Sequence, residues 1–209
     1  MIRIVKKPYE RRADIIEAAQ HLFMTQEYEK TTMQDVMNEL GIAKGTIYHY
    51  FPSKEALLEA VVENIIDTTL ERMQEKVQET QGNALKKLQV LIEAGNVTST
   101  HLNILEGLHK PGNEAMHTRL LAVTIIKQAP LYAEVIKQGC DEGIFQTCYP
   151  LECAEFILSA VQFLTDRGIY PWHSQDLMRR AQAFPSLLEQ QLKTPAGSFQ
   201  FLMKFIQPR

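Results

Sequence analysis

The sequence predicts an all-α protein: an N-terminal three-helix head carrying a helix-turn-helix, then an all-helical body, about 9–10 helices in all. Three observations predict it. Apolar residues recur at helical spacing in segment after segment. No Asn-Gly or Asp-Gly hairpin signal occurs in the 209 residues. The composition, 45% hydrophobic and 22% charged with a net charge of −3, is that of a globular chain with a real core.

The first helix, about 9–26, places Ile15, Ile16, Ala19, Leu22 and Phe23 on one face. The second starts after Thr32, a good N-cap, with Asp35 three residues on, near a capping-box pattern. It stops at Gly41, where a helix C-terminus wants a residue that tolerates positive φ. A short third helix covers about 44–50; Pro52 prevents its continuation and Ser53 caps the next. That next helix, about 54–80, is roughly 40 Å long at 1.5 Å per residue. Gly82-Asn83 breaks it, and further helices follow to about 100, near 102–109, and over about 114–128 and 131–142, with Pro130 as a break or kink. Gly143 with Ile144 and Phe145 reads as a glycine C-cap and its hydrophobic contact. Pro150 suits the first turn of a helix over about 150–167, apolar on more than one face and so expected to be buried from two sides. Ser174 caps about 175–192, interrupted near Pro185, and Phe199–Ile206 is a last short helix.

Several classes are excluded. No apolar run approaches the roughly 20 residues that cross a bilayer. The opening residues have no signal-peptide pattern, so a cytoplasmic protein is expected. Cys140, Cys148 and Cys153 are odd in number and lack metal-ligand spacing, which fits free thiols in a reducing compartment. No nucleophile–base or metal constellation points to an enzyme, and no cofactor is expected.

The net charge hides an asymmetry. Residues 1–54 hold eight Lys/Arg and seven Asp/Glu, a net of +1; residues 55–209 hold 14 and 18, a net of −4. Arg3, Lys6, Lys7, Arg11 and Arg12 form a basic arm at the start. An anionic partner is thus expected for the first quarter only.

Residues 33–50 carry the chemistry. One helix ends at Gly41 and another begins about three residues later, with Val36, Leu40, Ile42, Ile47 and Tyr50 where two helices packed across a tight turn need apolar groups. That is the helix-turn-helix, whose second helix enters the DNA major groove. Lys44 supplies charge, Gly45 permits close approach, Thr46 offers a hydroxyl and a methyl, and Tyr48 and His49 can reach phosphates. Lys54 adds a cation at the next helix start. Spacing alone leaves open a plain packed corner, with Tyr48 and Tyr50 as core aromatics.

From Arg12 to about Ile65 the chain resembles the DNA-binding head of the TetR family of bacterial transcriptional regulators. The motifs are Ile15-Ile-Glu-Ala-Ala-Gln-His-Leu-Phe, Tyr28-Glu-Lys-Thr-Thr-Met-Gln-Asp-Val, and Gly41-Ile-Ala-Lys-Gly-Thr-Ile-Tyr-His-Tyr-Phe-Pro-Ser-Lys-Glu-Ala-Leu-Leu. The resemblance implies that Lys44, Gly45, Thr46, Tyr48, His49 and Tyr50 lie on the recognition helix and that Thr32 and Lys54 contact the DNA backbone. It implies a homodimer joined by the eighth and ninth helices of each subunit, and a small-molecule pocket in the body. Two residues depart from the family pattern: Met37 replaces the usual alanine, and Ala43 replaces a common serine, giving up an N-cap bond worth about 1 kcal/mol.

The expected division is a DNA-binding domain over 1–51 and a dimerisation and ligand-binding domain over 52–209. The helix over 150–167 needs a second partner, and two half-sites about 34–36 Å apart need two heads, so a second copy is economical. Phe156, Ala160, Leu177, Ala181, Phe184 and Leu188 are the expected interface, with an intramolecular core as the alternative. His101, Leu105, His109, His117 and Phe163 are the expected ligand contacts, because polar groups inside apolar helices need partners. The three histidines recur eight residues apart with helix breaks between them, so no metal site is expected. The function expected is a repressor that binds a pseudo-palindromic double-stranded operator as a homodimer, is released by a small-molecule effector, and has no membrane partner. The alternative is a dimeric DNA-binding regulator with no small ligand, controlled by a protein partner or by its own concentration.

Overall fold

A computed structural model describes residues 7–96 and 101–205. Arg3 and Lys6 of the basic arm, the last residues of the helix expected to reach 100, and Ile206 lie outside the described residues. Those described form α1 (Pro8–Gln26), α2 (Met33–Leu40), α3 (Lys44–Tyr50), α4 (Lys54–Glu79), α5 (Ala84–Gly95), α6 (Leu102–Leu108), α7 (Glu114–Asp141), α8 (Pro150–Thr165), α9 (Ser174–Leu192) and a 3-10 helix, Gln200–Phe205. None of the described residues is in a strand.

Three helix starts, those of α2, α4 and α5, carry a side-chain cap. The Thr32 hydroxyl accepts from the Asp35 N–H at 3.2 Å, while the Asp35 carboxylate accepts from the Thr32 N–H at 2.8 Å. Ser53 Oγ accepts from the Ala56 N–H and Asn83 Oδ1 from the Lys86 N–H. Gly41 adopts φ 61°, and its N–H is donated back to the end of α2.

Three expectations are corrected. Pro130 does not divide two helices but lies inside α7. Both Ile126 and Pro130 are exposed, so water can reach the backbone where the proline removes a donor. Pro185 likewise sits within an unbroken α9. Ser174 is the first residue of α9; its N-cap is His173, which makes no side-chain capping bond.

The helices pack as two units. Of the described residues, the first comprises 7–68 and 101–120, the second 69–96 and 121–205. The first is larger than the 1–51 segment because α6 docks on α1: Asn103 Nδ2 donates to the Met24 carbonyl at 2.8 Å, and Lys110 pairs with Glu29 at 3.6 Å. The ring of Tyr28 lies on Gly107, where an added Cβ would come within 2.9 Å of it. The second unit is built around Met73, Leu91, Ile136, Phe145, Leu158, Leu192 and Phe199. There Phe145 occupies the space beside Gly139; an added Cβ would collide with its ring.

Candidate nucleic-acid interface

The site begins with α2, whose buried Val36 and Met37 anchor it to the first unit. Met37, where a smaller residue is usual, is accommodated at 5% exposure. The turn 41–43 follows, and the Ile42 N–H is donated to the Met37 carbonyl at 3.1 Å. α3 starts at Ala43, which offers no side-chain cap. Ile47 is fully buried and orients the helix. That leaves Lys44, Gly45, Tyr48 and His49 exposed, with Thr46 and Tyr50 half-buried. A Cβ at Gly45 would meet nothing within 4 Å, so no neighbour in the chain demands glycine there.

The exposed side of α3 is organised by rings and cations. Lys44 Nζ lies 5.7 Å from the Tyr48 ring, and His49 meets Tyr50 edge-on at 5.1 Å. Arg12 of α1 sits over the buried Phe51 ring at 5.3 Å. Lys54 is held more firmly. Its ammonium lies 4.1 Å over the Tyr28 ring and donates to the Glu29 carbonyl at 3.3 Å. Partial burial lowers the Lys54 pKa, and burial pushes the Tyr28 hydroxyl up to about 12. The Asp35 carboxyl is held below the ordinary range, chiefly by the Thr32 hydroxyl that donates to it and then by the Thr32 N–H. Tyr28 as the platform for Lys54 was not found from sequence: periodicity marks it as apolar without showing which cation it faces.

The residues expected to contact a ligand divide between the units. His101, Leu105, His109 and His117 fall in the first, and Phe163 in the second. His109 and His117 come together, their ring centroids 5.0 Å apart. In the second unit Gln162 Oε1 and Trp172 Nε1 are buried and make no hydrogen bond among the described residues, while Arg180 stacks on Trp172 at 3.6 Å.

Of the expected interface residues, Phe156 is 69% exposed, and Ala160, Leu177, Ala181 and Phe184 are half-buried. Leu188 is corrected: it is 8% exposed and belongs to the second unit's own core, while its neighbour Leu187, at 56%, faces out. Val161 and Leu164 are also exposed on α8. One side of α8 is therefore buried by the chain itself through Cys153, Ala154 and Leu158, and the other is apolar and uncovered.

Comparisons with known proteins agree with this geometry. Residues 15–61 match the model of the bacterial regulatory proteins of the tetR family, and residues 96–187 match that of the tetracyclin repressor-like C-terminal domain. The HTH-type transcriptional repressor KstR2 of Mycobacterium tuberculosis is 25% identical over 150 residues, covering 70% of this chain and 74% of that protein. The uncharacterized HTH-type regulator YfiR of Bacillus subtilis is 27% identical over 180 residues, covering 77% and 80%. Among solved structures, a transcriptional regulator from Cytophaga hutchinsonii shares the fold at a TM-score of 0.63 and 23% identity, over 93% of this chain and 97% of that one. A TetR-family regulator from Pectobacterium atrosepticum also reaches 0.63, at 18% identity over 97% of each chain. Among the described residues no helix is long and apolar enough to cross a membrane. With a capped α2, a glycine turn and an outward-facing α3 in the segment that matches the first model, and the helical remainder in the second, the chain belongs to the TetR family of bacterial transcriptional regulators and is not an enzyme.

Proposed function

We propose that the chain is a repressor that binds a pseudo-palindromic operator as a homodimer in the cytoplasm and is released by a small-molecule effector. The observation that carries it is the outward side of α3, where Lys44, Tyr48 and His49 stand clear of the core, beside a half-buried Thr46, on a helix oriented by Ile47. Lys44 and Thr46 read base edges; Tyr48, His49, Thr32 and Lys54 hold phosphates. Tyr50 supports the helix from its half-buried position, and Gly45 keeps its first turn slim. Functionally, residues 1–51 read DNA and 52–209 supply dimerisation and sensing.

The uncovered apolar side of α8, with Leu187 of α9, supports dimerisation, since an exposed contiguous apolar surface marks an interaction site. Release by an effector is supported by Gln162 and Trp172, whose buried polar atoms need partners that a bound molecule supplies. The relatives named as repressors support the sign of regulation. An effector that favours the unbound form by about 1–3 kcal/mol lowers operator affinity roughly 5–150-fold.

Fluorescence anisotropy on DNA upstream of the chain's own gene tests the reading. A site bound far more tightly than random duplex at matched salt is the expected result. Equal affinity for both overturns it.

A further inference from the structure

α6 ends at Leu108 and α7 starts at Glu114, so the chain turns over residues 109–113. This reversal sets His109, the C-cap of α6, against His117, just inside α7. The rings are 5.0 Å apart at centroid with a 41° tilt, and their nitrogen donors lie within 4.8 Å of one another. Sequence spacing argues against ligands here, because a helix break separates the two residues; the reversal makes them neighbours.

We propose that His109 and His117 bind a divalent transition-metal ion of the Zn2+, Ni2+ and Cu2+ class. Imidazole nitrogen suits these ions, whereas Mg2+ and Ca2+ take oxygen donors. Bonds of about 2.0–2.1 Å place two tetrahedral nitrogen ligands ~3.4 Å apart. His109 is exposed, so its side chain supplies the remaining movement and the ion has an entry path. His117, 3% exposed, is the fixed member. Its N–H is donated to the Asn113 carbonyl at 2.8 Å, and the buried Asn113 amide donates to the Gly107 carbonyl at 2.8 Å. Water completes the coordination.

The same scaffold reaches the DNA-facing cation. Gly107 packs on Tyr28, the Asn113 side chain hydrogen-bonds Tyr28, and Lys54 lies over the Tyr28 ring. Metal occupancy therefore alters operator affinity, a consequence that rests on the DNA-binding reading; the site itself does not.

The test titrates the tag-free full chain with Ni2+ by calorimetry at neutral pH. A saturable site is expected. His109→Ala, at an exposed position, weakens it by at least the roughly 10–100-fold that loss of an outer-shell partner costs. His117→Gln does the same, with helicity and melting temperature confirming its fold. His21→Ala, on the exposed side of α1, binds as wild type. Equal binding by wild type and His109→Ala overturns the proposal. Anisotropy with and without Ni2+ then reads the coupling. Failure to find operator-specific binding sinks the DNA-binding reading and leaves the calorimetric test of the two histidines intact.

Discussion

The outward sides of α3 and α8 are both exposed and opposite in chemistry. α3 presents Lys44, Tyr48 and His49, with a fully buried Ile47 behind them. α8 presents Phe156, Val161 and Leu164, with Cys153, Ala154 and Leu158 behind. Each helix spends its inner side on its own core, so the outer side is free to be specialised. Polar groups and cations outside suit a hydrated, anionic partner whose positions are read one by one. An apolar exterior suits a partner that excludes water, and affinity then comes from buried area. A net charge averaged over the chain conceals this contrast.

Introducing charge on the apolar side breaks the comparison most severely. Phe156→Glu with Leu187→Glu should give monomers in sedimentation while helicity is retained, and should lower operator affinity by ~10²–10⁴-fold as the second head is lost. A persistent dimer would mean that another surface joins the subunits.

Within α3 and its neighbours, a second division can be sharpened. Lys44→Ala should cost about 1–3 kcal/mol against the cognate site and little against random DNA, measured by competition. Lys54→Ala should weaken both alike and reduce the salt slope of binding by about 1. If both variants behave identically, base reading and phosphate anchoring are not separated as proposed.

The smallest effect is on stability. Thr32→Ala removes the cap of α2 and should cost about 1 kcal/mol in denaturant unfolding near neutral pH. Thr32 holds the Asp35 carboxyl below its ordinary value, so the carboxylate form is the stabilising one. Its contribution is complete above the unfolded value near ~3.9 and is lost as pH falls through the lower folded value. The gap between wild type and Thr32→Ala should therefore narrow in strong acid and stay constant above about pH 5.

Much of the candidate nucleic-acid interface was legible because its determinants are local. The Thr32–Asp35 cap, the positive φ at Gly41 and the apolar Ile47 lie within a few residues of what they control. The same holds for Ser53 and Pro150 at helix starts. The proposed dimer surface was legible only as a stripe. Periodicity selects a side of α9 but does not decide between adjacent leucines, and packing turned Leu188 inward and Leu187 outward.

The sequence by itself determined the all-helical class, the helix order and the turn between α2 and α3, because caps, glycine and hydrophobic period act over one or two turns. Only the tertiary structure decided that residues 101–120 pack in the unit that holds α1–α3, that α7 runs unbroken through Pro130, and that His109 meets His117. Those outcomes depend on side chains far apart in sequence competing for the same space, such as Tyr28 on Gly107, and no local rule contains that competition.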